Sequence, residues 1–213
     1  KRFRAPGEEM SEDFPRHLVD MTADPMFTPK WYRQAFAPAP RGTLPLDTTP
    51  EYSTLPDAGV DEVADFLPRA KFIYLIRDPV ARAISQLRMN LARRKALPKA
   101  PQDYLGHLDD DELSDRGDYA AYLPRWQMRI PPDRLLVLPY GRIASDPAAL
   151  MREIEAFLGL DPFAYSRLDT VFHRAVEAVE FPEEGRAILR DRFAAQYAFL
   201  AANFDEAFNA ALR

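Results

Sequence analysis

The sequence contains no cysteine and, in 213 residues, only three histidines and eight glycines. Without cysteine the chain cannot form a disulfide, bind a metal through thiolates or use a cysteine nucleophile, and the composition is typical of a reducing compartment. It also lacks any run of about 18 apolar residues, the length that a membrane span needs. No signal-peptide pattern begins at Lys1. We therefore expect no membrane span and a cytoplasmic location. The sequence has 23 arginines and five lysines, a ratio that is typical of proteins from bacterial genomes rich in G and C.

The formal net charge is −5, which argues against a general nucleic-acid-binding protein. The charge is unevenly distributed, because the segment 77–99 carries seven basic residues and a single acidic one, Asp78. A concentrated basic segment in an acidic protein indicates a local anion-binding site. The alternative is a solvated helix face, which the charge pattern alone favours.

Two short apolar runs, Lys71–Ile76 and Arg134–Leu138, predict strands that are buried on both faces, as in a parallel sheet. Helical patterns lie before, between and after these strands. This alternation predicts an α/β protein with a mostly parallel sheet, which we treat as a single domain over residues 1–213. The helices are expected near Thr28–Phe36, Val60–Leu67, Pro79–Leu91, Tyr119–Ile130, Asp146–Gly159 and, as one long amphipathic helix, from Pro182 to Phe208. Lys1–Pro25 and Pro98–Asp115 are expected to be irregular, and Thr43–Asp47 to be a brief extended stretch.

Arg77 directly follows the first predicted strand, where ligands of open α/β sheets bind. Asp78 and Pro79 are a strong start signal for the next helix, as N-cap and first helical residue. Ser85 lies about two turns into that helix. A guanidinium fork and a hydroxyl suit phosphate oxygens. The alternatives are a salt bridge between Arg77 and Asp78 or Asp47, and an ordinary helix serine.

The stretch from Lys71 to Ser85 resembles the 3′-phosphate-binding segment of sulfotransferases that use 3′-phosphoadenosine 5′-phosphosulfate (PAPS). That segment is a strand followed by Arg-(Asp/Asn)-Pro, two residues, Arg, two residues and Ser. Trp31–Phe36 is similar to the family's WYxxxF helix, and Leu46–Tyr52 to its GExSPxY loop near the acceptor. Arg116–Gly159 is similar to its GxYxxxLxxW, strand and DPx₉FLG stretch. The resemblance covers about residues 28–160.

The resemblance implies a three-layer, P-loop NTPase-like sulfotransferase fold with a parallel sheet. The family's first strand and its Lys-(Ser/Thr)-Gly-Thr-Thr loop, which binds the 5′-phosphosulfate, are not in the sequence. We expect them to precede Lys1. The resemblance also implies PAPS as co-substrate and 3′-phosphoadenosine 5′-phosphate (PAP) as product, with no metal required. Arg77 and Ser85 would hold the 3′-phosphate, and Arg82 would have a structural or electrostatic role beside them.

The function implied is in-line transfer of a sulfuryl group to a hydroxyl or amine of a small-molecule or glycan acceptor. Trp31, Tyr32 and Tyr52 are candidate acceptor-binding residues, and core packing is their alternative role. Asp47 is the candidate general base. The three histidines (His17, His107 and His173) lie in poorly patterned regions and are expected to be ordinary surface or satisfied residues.

Two other functions compete with this prediction. A non-catalytic nucleotide-binding or interaction module on the same scaffold would keep the Arg77 segment without the transfer chemistry. A P-loop kinase relative is disfavoured, because the sequence has neither a Walker A loop nor an aspartate in a convincing Mg²⁺-binding context.

Overall fold

The computed structural model describes residues 13–23, 25–26, 28–110, 112–168, 170 and 179–213. The chain forms two compact units, residues 1–50 and residues 51–213. The first unit contains helix α1 (Asp13–Ala23) and helix α2 (Pro29–Ala35). Thr28 caps α2 by accepting a hydrogen bond from the Trp31 amide at 3.2 Å, which confirms the predicted start of this helix.

Helix α1 lies within the segment Lys1–Pro25, which the composition predicted to be irregular, so that prediction is wrong for residues 13–23; residues 1–12 lie outside the described residues. The only proline of this helix, Pro15, is its third residue, where a missing amide hydrogen costs no intrahelical bond. Thr43–Asp47 is not in a regular element, and no strand pairs with it within the described part of the chain.

In the second unit, strand β1 (Phe72–Ile76) pairs in parallel with strand β2 (Leu135–Pro139), from Phe72 opposite Leu135 to Ile76 opposite Pro139. This confirms an α/β chain with a parallel sheet, and among the described residues the sheet has two strands. Tyr74 and Ile76 are buried on one face, whereas Leu75 on the other face is 44% exposed. The expectation that β1 is buried on both faces is therefore wrong, because the second face is only partly covered.

The helices of the second unit largely follow the predicted pattern. Pro98–Asp115, expected to be a loop, contains a 3₁₀ turn and a short helix. The predicted long helix from Pro182 is three helices, which break at Phe193 and at Phe204–Asp205. In chain order the helices are α3 (Asp57–Phe66), α4 (Pro79–Arg93), α5 (Glu112–Asp115), α6 (Tyr119–Arg129), α7 (Arg142–Ser145), α8 (Pro147–Leu158), α9 (Glu183–Arg192), α10 (Ala194–Asn203) and α11 (Glu206–Ala210), with 3₁₀ turns at Pro50–Thr54 and Pro101–His107.

Buried apolar side chains form two clusters in this unit. One lies between α4, α5, the 3₁₀ turn Pro101–His107 and α9, and includes Leu87, Leu91 and Leu189. The other joins α3, β1, α6 and α10, and includes Ile76 and Trp126. Together they fix both ends of the β1–α4 connection, which carries Arg77. None of the helices in the described ranges is long and apolar enough to cross a bilayer.

Candidate functional site

Arg77 lies between the last residue of β1 and the cap of α4. Its main chain is held by one side chain, because its amide donates to the Tyr119 hydroxyl at 3.2 Å and that hydroxyl donates to its carbonyl at 3.0 Å. Tyr119 is 3% exposed, and burial raises the pKa of its hydroxyl, which keeps it a neutral donor. Tyr119 is part of the apolar core, and its hydroxyl also fixes the main chain of the arginine that the sequence singles out.

The guanidinium of Arg77 lies over the ring of Tyr140, with 4.7 Å between its central carbon and the ring centroid. Tyr140 follows β2 as Arg77 follows β1, and Ile76 pairs with Pro139, so the two side chains meet at one edge of the sheet. A guanidinium on an aromatic face keeps its outer N–H groups available. The sequence analysis did not identify Tyr140. It could have been found because the residues that directly follow two paired parallel strands lie side by side, and Tyr140 follows β2 as Arg77 follows β1.

Asp78 caps α4, as its position predicts. Its Oδ1 accepts from the Ala81 amide at 2.8 Å. Its Oδ2 accepts from the Tyr197 hydroxyl at 3.0 Å and from Arg213 Nε at 3.2 Å. The carboxylate is therefore not paired with Arg77. Within the described residues of the second unit, no carboxylate lies within ion-pair distance of the Arg77 guanidinium.

Ser85 is exposed on α4, about 9 Å along the helix axis from Pro79. Arg82 and Arg88 flank it one turn before and one turn after. The Arg82 guanidinium donates to the Leu113 carbonyl. The Arg88 guanidinium donates to the Tyr104 hydroxyl at 3.3 Å and to the Val179 carbonyl at 3.4 Å. Burial lowers the pKa of Arg82, which stays cationic. Ser85 thus lies one helical turn from each of two arginines whose guanidinium groups are held by hydrogen bonds, and its side chain is exposed.

The candidate acceptor residues are divided between the two units. Trp31, Tyr32 and Asp47 belong to the first and Tyr52 to the second. The indole of Trp31 donates to the Met21 carbonyl at 2.9 Å. Tyr32 donates to Asp47 Oδ2 at 3.2 Å, while the Thr49 amide and hydroxyl donate to Oδ1 at 3.1 and 2.6 Å. The structure therefore brings Tyr32 and Asp47 together.

Tyr52 is half-buried and packs against the cluster around Trp126.

Two of the three histidines lie within the described residues. His17 lies on α1, and His107 is exposed at the wall of a cavity of about 340 Å³ beside the second half of α4. His173 lies outside the described residues. In the described ranges, no three His, Cys, Asp or Glu side chains are grouped so that they could hold a metal ion.

A comparison with known protein families finds a match that includes the Arg77 segment. Residues 4–164 match the model of the sulfotransferase family, and this range includes β1, α4, α6, β2 and α8. The chain belongs to the sulfotransferase family. The resemblance read from the Arg77 segment is thereby confirmed at the level of the family.

Individual relatives in this family are glycan sulfotransferases by name. The chain is 30% identical over 136 residues to heparan sulfate glucosamine 3-O-sulfotransferase 3B1 of Mus musculus, over 61% of the chain and 35% of that protein. It is 31% identical over 135 residues to heparan sulfate glucosamine 3-O-sulfotransferase 6 of Homo sapiens, over 61% and 39%. Bifunctional heparan sulfate N-deacetylase/N-sulfotransferase 3 of Homo sapiens is 30% identical over 137 residues, over 58% and 16%. The matched region thus covers less than two fifths of each relative.

The expectation of a cytoplasmic protein is wrong, because the heparan sulfate sulfotransferases that this chain resembles are Golgi enzymes. The prediction relied in part on the absence of cysteine. A chain without cysteine is compatible with any redox environment, so this absence does not define a compartment.

Proposed function

We propose that this protein transfers a sulfuryl group from PAPS to a hydroxyl or amine of a glycan, with Arg77 and Ser85 binding the 3′-phosphate of the nucleotide. The proposal rests on the contacts of Arg77. Its main chain is fixed at the carboxyl end of β1, and its guanidinium stacks on Tyr140 and is not paired with Asp78. The finer fold that goes with it is the three-layer, P-loop NTPase-like sulfotransferase fold.

The residues present fit the nucleotide's 3′-phosphate. Arg77 offers a planar fork of donors, and Ser85 an exposed hydroxyl flanked by Arg82 and Arg88. Each charge-assisted hydrogen bond to a phosphate contributes about 1.5–3 kcal/mol. Because Tyr119 fixes the main chain of Arg77 before a ligand arrives, little ordering of that main chain opposes binding.

In the reaction, PAPS supplies the sulfuryl group: its sulfur–oxygen bond to the 5′-phosphate breaks while a bond forms from sulfur to the acceptor oxygen or nitrogen. Arg77 and Ser85 anchor the far end of the nucleotide and so set the line of transfer. The acceptor loses a proton, and Asp47 is the proposed base. The donors from Tyr32 and Thr49 fix the orientation of its carboxylate.

The names of the relatives support the proposal of a glycan acceptor. Two of them are named as 3-O-sulfotransferases of heparan sulfate glucosamine, which transfer to a hydroxyl, and a third as an N-sulfotransferase, which transfers to an amine. An amino sugar presents both groups, so we propose a hexosamine-containing glycan as the acceptor class.

The test is calorimetric titration of PAP into full-length protein variants. Arg77→Ala should weaken PAP binding about tenfold to a hundredfold, and Ser85→Ala about fivefold, because each removes donors to the phosphate. Arg93→Ala removes the same charge from an exposed position at the far end of α4, and Ser145→Ala removes an exposed helix serine on α7. Both control variants should bind PAP as wild type does.

Unchanged PAP affinity in Arg77→Ala would contradict the proposed role of this arginine. An equal loss in Arg77→Ala and Arg93→Ala would contradict it as well, since that result would reflect general charge rather than a defined contact. Sulfate transfer to a hexosamine-containing glycan, followed with ³⁵S-labelled PAPS, tests the acceptor class separately.

A further inference from the structure

The chain segment Ala211–Arg213 runs across the carboxyl ends of both strands, beside the stacked pair Arg77–Tyr140. The Asp78 amide donates to the Leu212 carbonyl at 2.9 Å, and the Gly141 amide donates to the Ala211 carbonyl at 2.9 Å. One short segment thus bonds to the residue after Arg77 and to the residue after Tyr140. A side-chain carbon at Gly141 would overlap the main-chain oxygen of Arg213, so this close approach depends on glycine.

Side chains reinforce the same connection. Asp78 is 4% exposed, and its Oδ2 accepts from Tyr197 on α10 and from Arg213. The ring of Tyr197 packs against the apolar cluster beneath α4. Asp78 therefore joins three parts of the unit: the start of α4 through Ala81, helix α10 through Tyr197, and the segment 211–213.

We propose that Tyr197 is a positioning residue for the 3′-phosphate site: through Asp78 and the segment 211–213 it holds Arg77 in the orientation that grips the phosphate. The proposal rests on the function proposed above. It assigns a role in nucleotide recognition to a residue of the C-terminal helices, about 120 positions away from Arg77, which the sequence indicates only as part of an apolar stripe. Tyr197 does not touch the ligand in this proposal; its contact is with the Asp78 carboxylate.

Tyr197→Phe is the informative substitution because it keeps the packed ring and removes the hydroxyl bonded to Asp78. PAP should bind this variant about fivefold more weakly, the effect of one hydrogen bond. Adenosine 5′-phosphate, which lacks the 3′-phosphate, should bind variant and wild type equally. Tyr122→Phe is the matched control, since it removes a tyrosine–carboxylate hydrogen bond of 2.9 Å to Asp115 and should change neither affinity.

A double-mutant cycle separates positioning from general destabilisation. If Tyr197 acts through Arg77, adding Tyr197→Phe to Arg77→Ala should change PAP affinity less than twofold. A fivefold loss that persists without Arg77, or an equal loss for PAP and adenosine 5′-phosphate, would overturn the proposal. Wild-type affinity of Tyr197→Phe for PAP would overturn it too.

The result that would refute the proposed function differs from the result that would refute only the role of Tyr197. If the wild-type protein bound PAP and adenosine 5′-phosphate equally, the 3′-phosphate role of Arg77 and Ser85 would be refuted, and the positioning role with it. If the wild-type protein prefers PAP and Tyr197→Phe keeps that preference in full, only the inference about Tyr197 fails.

Discussion

The hydroxyl of Tyr119 is the contact whose removal tests most sharply how Arg77 is held. It accepts from the Arg77 amide and donates to the Arg77 carbonyl, and its residue is almost fully buried. Tyr119→Phe keeps the ring and leaves both main-chain groups without these partners. A net hydrogen bond contributes about 1 kcal/mol, so the free energy of unfolding should fall by about 2 kcal/mol. For a chain of this size that corresponds to a melting temperature lower by about 4–8 °C.

Urea unfolding followed by circular dichroism measures this change in the free energy of unfolding. The slope m should be the same for wild type and Tyr119→Phe. Tyr122→Phe is the control, because it removes one hydrogen bond, to Asp115 at an exposed position, and should cost less than about 1 kcal/mol. PAP affinity should also fall in Tyr119→Phe, since the main chain of Arg77 is then held less firmly. An unfolding free energy and PAP affinity equal to those of wild type would refute the view that Tyr119 fixes Arg77.

Three further predictions concern other parts of the account. Asp47→Asn should lower kcat of sulfate transfer about a hundredfold or more while PAP affinity stays unchanged, and a kcat near that of wild type would exclude Asp47 as the base. Burial and the neighbouring Asp78 raise the pKa of Tyr197 from 10.0 to about 12, so its contribution to stability is complete below about pH 10 and is lost as the pH rises towards 12. The stability of Tyr197→Phe should therefore fall less steeply than that of wild type in this window, and equal slopes would contradict the assignment. Gly141→Ala should lower stability by about 1–3 kcal/mol because its side chain overlaps Arg213, and a melting temperature equal to that of wild type would show that the segment 211–213 moves aside freely.

Local signals in the sequence predicted the starts of two helices well. Asp78 and Pro79 at the start of α4, and Asp146 and Pro147 at the start of α8, are caps whose chemistry depends on neighbouring residues alone. Gly159 ends α8 at a φ of +74°, where glycine is favoured. The position of Arg77 at a strand end follows from the same local pattern.

The long helix predicted from Pro182 shows where local signals are weaker. Its apolar stripe continues through Leu189, Phe193 and Leu200, so periodicity does not mark the break at Phe193. The second break carries a signal that could have been used: Asp205 caps α11 by accepting from the Phe208 amide at 2.8 Å.

Contacts between distant residues could not be derived from the pattern. Tyr140 stacks on Arg77 because Ile76 pairs with Pro139, and this register depends on how two strands meet. Tyr197 reaches Asp78 only because α10 packs near the start of α4. The family resemblance indicated Arg77 and Ser85, whereas the side chains that contact Arg77 became visible only in the folded chain.

The central claim is that Arg77 and Ser85 together hold the 3′-phosphate of the nucleotide. A crystal structure of the full-length protein with PAP tests it most directly. We predict phosphate oxygens within hydrogen-bond distance of both the Arg77 guanidinium and the Ser85 hydroxyl, with the Arg77–Tyr140 stack retained. A 3′-phosphate bound elsewhere, with Arg77 making no contact to it, would contradict the account.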